Sequence, residues 1–361
     1  MADKYDLVIF GSTATARVLA FCLAQSHDLR VLLVFDRDQA YRLAPSPQLS
    51  AGYCTSPLFF RHVREGALAA QRLVSPLNDD KLVQTKAIGA FASRKQHLPL
   101  LEFAEGAAIH ADVVCERRVH AQSQSEQLVF PEAQIFDGAL ISRAMAASNE
   151  EHGHYGSVER SSLNTAHITR DGRFSGRADN QGLKAERVLL LDQDMIHEEL
   201  MAAPQDTPIV PHMQQIMRFQ QHKPSSLAAQ QDVSTGLWQF QQSDADLLFS
   251  APGRVDQLAT HLFKHHPDIA DRRVRQIDQL RMLNAKDGYP ILDVVGARKA
   301  LCFLGAQHFE LALATELAKH IAQLLSGTTQ PADPFWQHAQ LDRQRGGDGT
   351  LLRAEMDGAH G

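Results

Sequence analysis

The sequence lacks the marks of several protein classes. Its four cysteines, Cys22, Cys54, Cys115 and Cys302, are widely spaced and form no C-x-x-C pair, so neither a disulfide framework nor a cysteine zinc site is indicated. Histidine is plentiful, with 18 residues, yet scattered, and no H-E-x-x-H or other ligand spacing occurs. No apolar run reaches the ~18 residues that span a bilayer, so no membrane span is expected. There is no long basic run, and the formal net charge is -6, which disfavours a nucleic-acid partner. The first apolar run begins near residue 5 and leaves no length for a cleaved leader, so a reducing cytoplasm is the expected setting.

What is present is a chain of 361 residues, 44% hydrophobic and 22% charged, enough for one large or two medium cores. It opens on Asp6-Leu7-Val8-Ile9-Phe10, an apolar run that ends at Gly11. A helical stretch follows, with Val18, Leu19, Phe21, Cys22 and Leu23 on one broad side, and then Val31-Leu32-Leu33-Val34-Phe35, ending at Asp36. Strand, tight turn, helix and parallel strand form the unit that seats a dinucleotide pyrophosphate on a helix N-terminus. The turn asks for Gly-x-Gly-x-x-Gly, and those places hold Gly11, Thr13 and Ala16. Asp36 stands about 20 residues on, where a carboxylate meets the adenosine ribose; the alternative is a solvated strand end.

Further along, residues 37–60 read as loop, 58–74 as helix, and 80–130 as short strands, including 82–84, 88–91, 113–115 and 127–130. Asp137 is placed to cap a helix running to about residue 149. Strands are expected at 158–163, 166–169, 174–177 and 187–191, and a second β-rich stretch at 208–250. Trp238 and Phe240 alternate with polar residues and read as one core face. An amphipathic helix is expected over 254–266, with His265 and His266 at its solvated end. A strand over 299–304 ends at Gly305, and a helix covers 311–325. His308 and Glu310 admit an acid–base couple; a helix-opening glutamate facing the macrodipole is the favoured reading.

The order of these segments resembles the FAD-dependent family of D-amino-acid oxidase, glycine oxidase and sarcosine oxidase, over residues 5–327. Beyond the first unit, Phe136-Asp137-Gly138-Ala139-Leu140 resembles the family's helix opening after a domain crossover. The run 157–163, ending at Leu163, is similar to the strand that touches the adenine side of FAD. The run 188–193 looks like the strand that normally ends Ala-Thr-Gly, and 211–216 resembles the Pro-x-x-Gly-Gln entry to the substrate domain. Lys286-Asp287-Gly288-Tyr289-Pro290-Ile291 is close to the flavin-side Asp-Gly-x-Pro motif. Residues 300–325 match the strand, glycine turn at Gly305 and closing helix that set a helix dipole near the flavin.

The departures are systematic. Thr13, Gln193, Gln214, Asp293 and Glu310 stand where the family has glycine. In the register of the Asp-Gly-x-Pro motif, the arginine that grips the substrate carboxylate falls near Met282, with Arg281 one place away; a salt bridge is the other reading of Arg281. Forcing one side chain into a close-packed contact costs roughly 1–3 kcal/mol. The four that meet the flavin, at Thr13, Gln193, Asp293 and Glu310, sum to about 4–12 kcal/mol if additive, against about 12 kcal/mol for a nanomolar ligand.

The expectation is therefore an α/β chain, an FAD-binding Rossmann-like domain with a parallel sheet interleaved with a β-rich substrate-type domain. The first comprises 1–75, 131–205 and 280–327, the second 76–130 and 206–279, and 328–361 is a polar flexible tail. The resemblance implies FAD, held at Gly11, Thr13, Ala16, Asp36, Leu163, Gln193, Gly305 and Glu310, and a small amine or amino acid as substrate. The departures imply weakened or lost flavin binding, a former cofactor groove filled by Thr13, Gln193, Glu310 and the 44–54 loop, and a non-catalytic role with a protein partner or in a homo-oligomer. The order of motifs taken alone implies an active oxidoreductase acting on a C–N bond.

Overall fold

The computed structural model describes residues 3–43, 47–77, 79–119, 126–148, 154–179, 181–202, 208–220, 227–242, 246–265, 269, 271–327 and 333–340. Leu7, Val8, Ile9 and Phe10 of β1 (Asp3–Phe10) are buried on both faces of the strand, which is why they run without a polar break. Parallel to β1 lie β2 (Val31–Phe35) on one side and β10 (Gln181–Leu190) on the other. Beyond β2 comes β7 (Tyr155–Glu159), and beyond β10 comes β17 (Ala300–Leu304), both parallel to their neighbours. The expected sheet is thus present. Antiparallel β16 (Ile291–Val295) closes one edge, and β8 (Leu163–Ile168) and β9 (Phe174–Ala178) make a meander with β10.

The two faces of this sheet have separate cores. Leu7, Ile9 and Leu33 pack under α1 (Ala14–Ser26), α3 (Pro57–Val74) and α8 (Glu310–Ser326). Val8, Phe10 and Val34 pack with Phe174 of the meander, Ile196 of α6 (Gln193–Ala202) and Leu283 of β15 (Val274–Ala285). The second sheet runs β15-β11-β14-β13-β12-β4-β6-β3, with β5 (Glu116–Val119) on β6. Its strands are β3 (Gln48–Leu49), β4 (Val83–Phe91), β6 (Glu126–Phe136), β11 (Ile209–Gln220), β12 (Ala229–Asp232), β13 (Leu237–Gln242) and β14 (Asp246–Pro252). Trp238 and Phe240 stack at 5.2 Å in the core, as their alternation predicts.

Three expectations need correction. The 80–130 stretch is not all strand: Leu98–His110 is a helix, α4, and 113–115 is irregular. Leu101, Ala104 and Ala107 recur on its buried side, a helical spacing among good helix formers. The 37–60 loop contains α2 (Arg37–Leu43). Within the expected polar tail, Pro334–His338 is a helix, α9, with Phe335 and Trp336 buried. Asp333 caps it and lies 3.3 Å from His62 Nε2 on α3. The helices expected over 137–149 and 254–266 are α5 (Gly138–Ser148) and α7 (Val255–His265). Asp137 Oδ1 accepts from Leu140 N at 2.9 Å, and His266 lies outside the described residues.

Candidate functional site

A groove of about 350 Å³ lies between the start of α1, α5 and the face of the second sheet. That is the small end of the roughly 300–1,000 Å³ range of ligand pockets. One wall is Ser12, Thr13, Thr15 and Arg17, with Gly138, Ser142 and Arg143 of α5. The floor is His212, Gln214 and Ile216, alternate residues of β11, with Leu280 and Met282 opposite on β15. Gln48, Gln307, His308 and Glu310 close the far end. The filled groove expected from the sequence is thus not found; Thr13 and Glu310 line an opening.

The first turn of α1 is capped by Thr13, whose Oγ1 accepts from Ala16 N at 3.4 Å. Gly11 permits this turn: a Cβ there would meet Ala16 Cβ at 2.8 Å and Leu191 Cβ at 3.0 Å. Ala16 is fully buried, and the Thr15 hydroxyl, also buried, has no hydrogen-bond partner among the described residues. Arg17 lies over the Phe35 ring at 4.6 Å and pairs with no carboxylate among the described residues.

At the far end, α8 begins with Glu310. Gln48 Oε1 accepts from Leu311 N at 3.0 Å, so β3 caps this helix in place of its own preceding residue. The Glu310 carboxyl has no hydrogen bond among the described residues, and burial pushes it up to about 7. His308 is not its acid–base partner. Its Nδ1 lies 3.2 Å from Pro47 O and its ring packs edge-on to Trp238 and Phe240, and burial pushes it down to about 4. Gln307, beside them, has φ 46, a left-handed conformation that L side chains adopt only under constraint.

Of the other sequence-predicted residues, all but Gln214 stand outside this groove. Asp36 caps α2, its Oδ1 accepting from Asp38 N at 2.9 Å and Gln39 N at 3.1 Å, while its own N–H donates to Ser12 Oγ at 2.8 Å. Arg37 pairs with Glu159 at 2.9 Å and Arg160 approaches Asp192 at 3.8 Å. Polar ties therefore cross the carboxyl ends of β1, β2, β7 and β10, the edge where this fold seats an adenosine. Leu163 opens β8 and packs on the second core, and Gly305 has φ 84 with no crowding at its Cβ position. Gln193 Oε1 accepts from Leu283 N at 2.9 Å, tying α6 to edge strand β15, so Gln193 joins the two sheets. Asp293 is on β16, away from the groove, with Oδ1 accepting from Val294 N. Gln214 is in the groove and donates from Nε2 to Ser250 Oγ at 2.8 Å.

Arg281 is not in the groove. Leu280 and Met282 face it, so Arg281 projects to the other side of β15 and meets Asp194 of α6 at 3.0 Å. The sequence reading missed Thr15, Arg17, Ser142, Arg143 and His212. Strand alternation from Gln214 points to His212, and the helical spacing Gly138, Ser142, Ala146 points to α5. Buried Cys54 is pushed up to about 12, an inert thiol rather than a nucleophile. Among the described residues no group of three or more His, Cys, Asp or Glu is placed to hold a metal ion, and no helix is long and apolar enough to cross a membrane.

No protein-family model matches the chain, and no curated protein matches it by sequence. Solved structures match it closely in shape. Glycine oxidase from Geobacillus kaustophilus superposes with a TM-score of 0.75 at 14% identity, over 95% of this chain and 100% of that one. L-proline dehydrogenase from P. horikoshii gives 0.70 at 12% identity, over 94% and 100%. Iminodiacetate oxidase from Chelativorans sp. BNC1 gives 0.69 at 14% identity, over 91% and 97%. Identities this low speak for architecture and not for activity: the chain has the fold of the FAD-dependent amino-acid oxidoreductases.

Proposed function

We propose that this chain is a non-catalytic binding subunit built on the oxidoreductase fold, with flavin binding weakened or lost and the groove kept for a smaller polar ligand. The observation that carries this reading is Glu310. The resemblance assigns the start of α8 to stabilising negative charge on a flavin, and a carboxyl group stands there instead. An acid at that place opposes the macrodipole's effect on a bound anion. The fit is poor elsewhere too. The carboxylate expected on a ribose caps α2 through one of its oxygens, and ties cross the strand ends where an adenosine would lie. The floor offers His212, Gln214 and Met282 to a substrate carboxylate, and no arginine. Burial lowers the pKa of His212, so it offers no charge at neutral pH.

The visible spectrum of the purified protein tests this. A colourless preparation that takes up no FAD on incubation is expected. Stoichiometric flavin absorbance would return the chain to the second reading, an active FAD-dependent oxidoreductase acting on a C–N bond of an amine or amino acid, which the open groove favours.

A further inference from the structure

The groove is lined by arginines beside the start of α1 and by an acid at the start of α8. At one end Arg17 and Arg143 line the wall, and neither meets a carboxylate among the described residues. Thr15 lines the same wall at the first turn of α1, 1% exposed, with its hydroxyl unpaired. A buried hydroxyl without a partner is costly, and a ligand oxygen would satisfy it. The first turn of a 13-residue helix, one of its N–H groups taken by Thr13, adds a positive end to the same place. At the other end Glu310 is the acidic residue lining the groove, with no hydrogen bond among the described residues.

Resting on the reading above, we propose that the groove binds a small molecule with a phosphate at one end and a primary ammonium at the other, the class of ω-aminoalkyl phosphates. The phosphate sits against Thr15, Arg17 and Arg143, and the ammonium against Glu310. A guanidinium with hydroxyl and N–H donors suits a tetrahedral oxyanion. An ammonium donates to the Glu310 carboxylate, and its charge favours the ionised acid. Leu280, Ile216 and Met282 offer the connecting methylenes an apolar floor. No covalent step is implied.

The test is calorimetric titration of the full chain with a series of ω-aminoalkyl phosphates, against n-alkyl phosphates and ω-amino acids of matched length. At about pH 8, above the Glu310 value of about 7, the best aminoalkyl phosphate is expected to bind about tenfold or more tighter than its alkyl phosphate. That advantage shrinks at about pH 6 and disappears in E310Q, which is isosteric and whose folding a thermal melt verifies. R17Q/R143Q weakens both phosphates and keeps a cooperative melt, with the small loss expected from the Arg17 contact on Phe35. Equal binding of the two phosphates at the higher pH, an advantage that survives E310Q, tighter binding of the ω-amino acid, or no binding of either phosphate overturns the proposal. If the preparation is colourless, those outcomes sink this proposal alone; stoichiometric flavin sinks the reading beneath it.

Discussion

The helices α1 and α8 both begin on the groove, and their first turns are built differently. In α1 the cap is the chain's own Thr13, no acidic residue occupies the first turn, and Thr15 and Arg17 follow. In α8 the cap is borrowed from Gln48 of another element, and the first residue is an acid. A helix start without a carboxylate keeps its partial positive charge for an incoming anion; one that begins with glutamate has that charge answered from within. The same fold thus presents one anion-receptive and one acidic end across a single groove. Thr13 and Glu310, where the resemblance implies glycine, do not close the space; both line it.

The comparison is broken most severely by unseating α8. It crosses α3 at Gly66, where a Cβ would lie 2.1 Å from the Ala312 carbonyl oxygen. Backbone cannot yield as a side-chain tip does, so G66A is expected to cost roughly 3 kcal/mol or more. At α1, G11A forces contacts of 2.8 and 3.0 Å with side-chain carbons, and about 1–3 kcal/mol is expected. Urea unfolding of both variants checks the order, and a larger loss in G11A would contradict it.

The charge difference between the two ends is sharpened by pH. Glu310 is raised to about 7, so its folded form holds a proton the unfolded chain releases. That contribution is full below the unfolded value of about 4.3 and is lost as pH rises through about 7. His308 is depressed to about 4, so its contribution is full above about 6.5 and is lost as pH falls through about 4. Between about 4.3 and 6.5 the two slopes oppose each other, and above that window Glu310 acts alone. E310Q should therefore be more stable than the parent at about pH 8, by roughly 1–3 kcal/mol, and the gap should close by about pH 5. Denaturant midpoints across this range decide it; a constant gap would show that Glu310 titrates normally.

The α1 end was largely legible in sequence and the α8 end was not, for a physical reason. The strand–turn–helix–strand unit is encoded by contiguous residues, so Gly11 and the runs before and after it announce their roles. The groove's acidic end is assembled from Gln48 and Glu310, which only tertiary packing brings together. Gln193 misled for the same reason. In sequence it replaces a glycine, whereas in space it satisfies the free N–H of edge strand β15. In sequence Asp36 admits a ribose contact or a solvated strand end, and no local pattern at 37–43 announces the helix that uses it as a cap.

The two caps differ less in energy than the two charges. Gln48 Oε1 reaches Leu311 N at 3.0 Å, and Thr13 Oγ1 reaches Ala16 N at 3.4 Å, near the limit of a hydrogen bond. Q48A is expected to cost about 1–2 kcal/mol and T13A about 0.5 kcal/mol. Thermal melts of the pair check the order, and equal shifts would mean that the longer contact caps as well as the shorter.

The smallest effect is expected at Arg281, and it tests the register on which the groove's floor depends. Alternate residues of a strand face opposite sides, and β15 pairs with β11 so that Leu280 lies opposite Gln214 and Met282 opposite His212. Those four residues line the groove, which leaves Arg281 on the other side, 3.0 Å from Asp194. Both side chains of that pair are well exposed, so solvent and salt screen them and the pair contributes less than about 1 kcal/mol. R281A should shift the urea midpoint slightly and leave alkyl phosphate binding unchanged, whereas M282R places a new cation on the floor near His212. If R281A weakened that binding as much as R17Q/R143Q does, the strand would have to be turned over. A one-residue slip exchanges every residue of β15 between its faces, so Met282 would leave the floor together with Leu280, and Arg281 would take their place opposite β11.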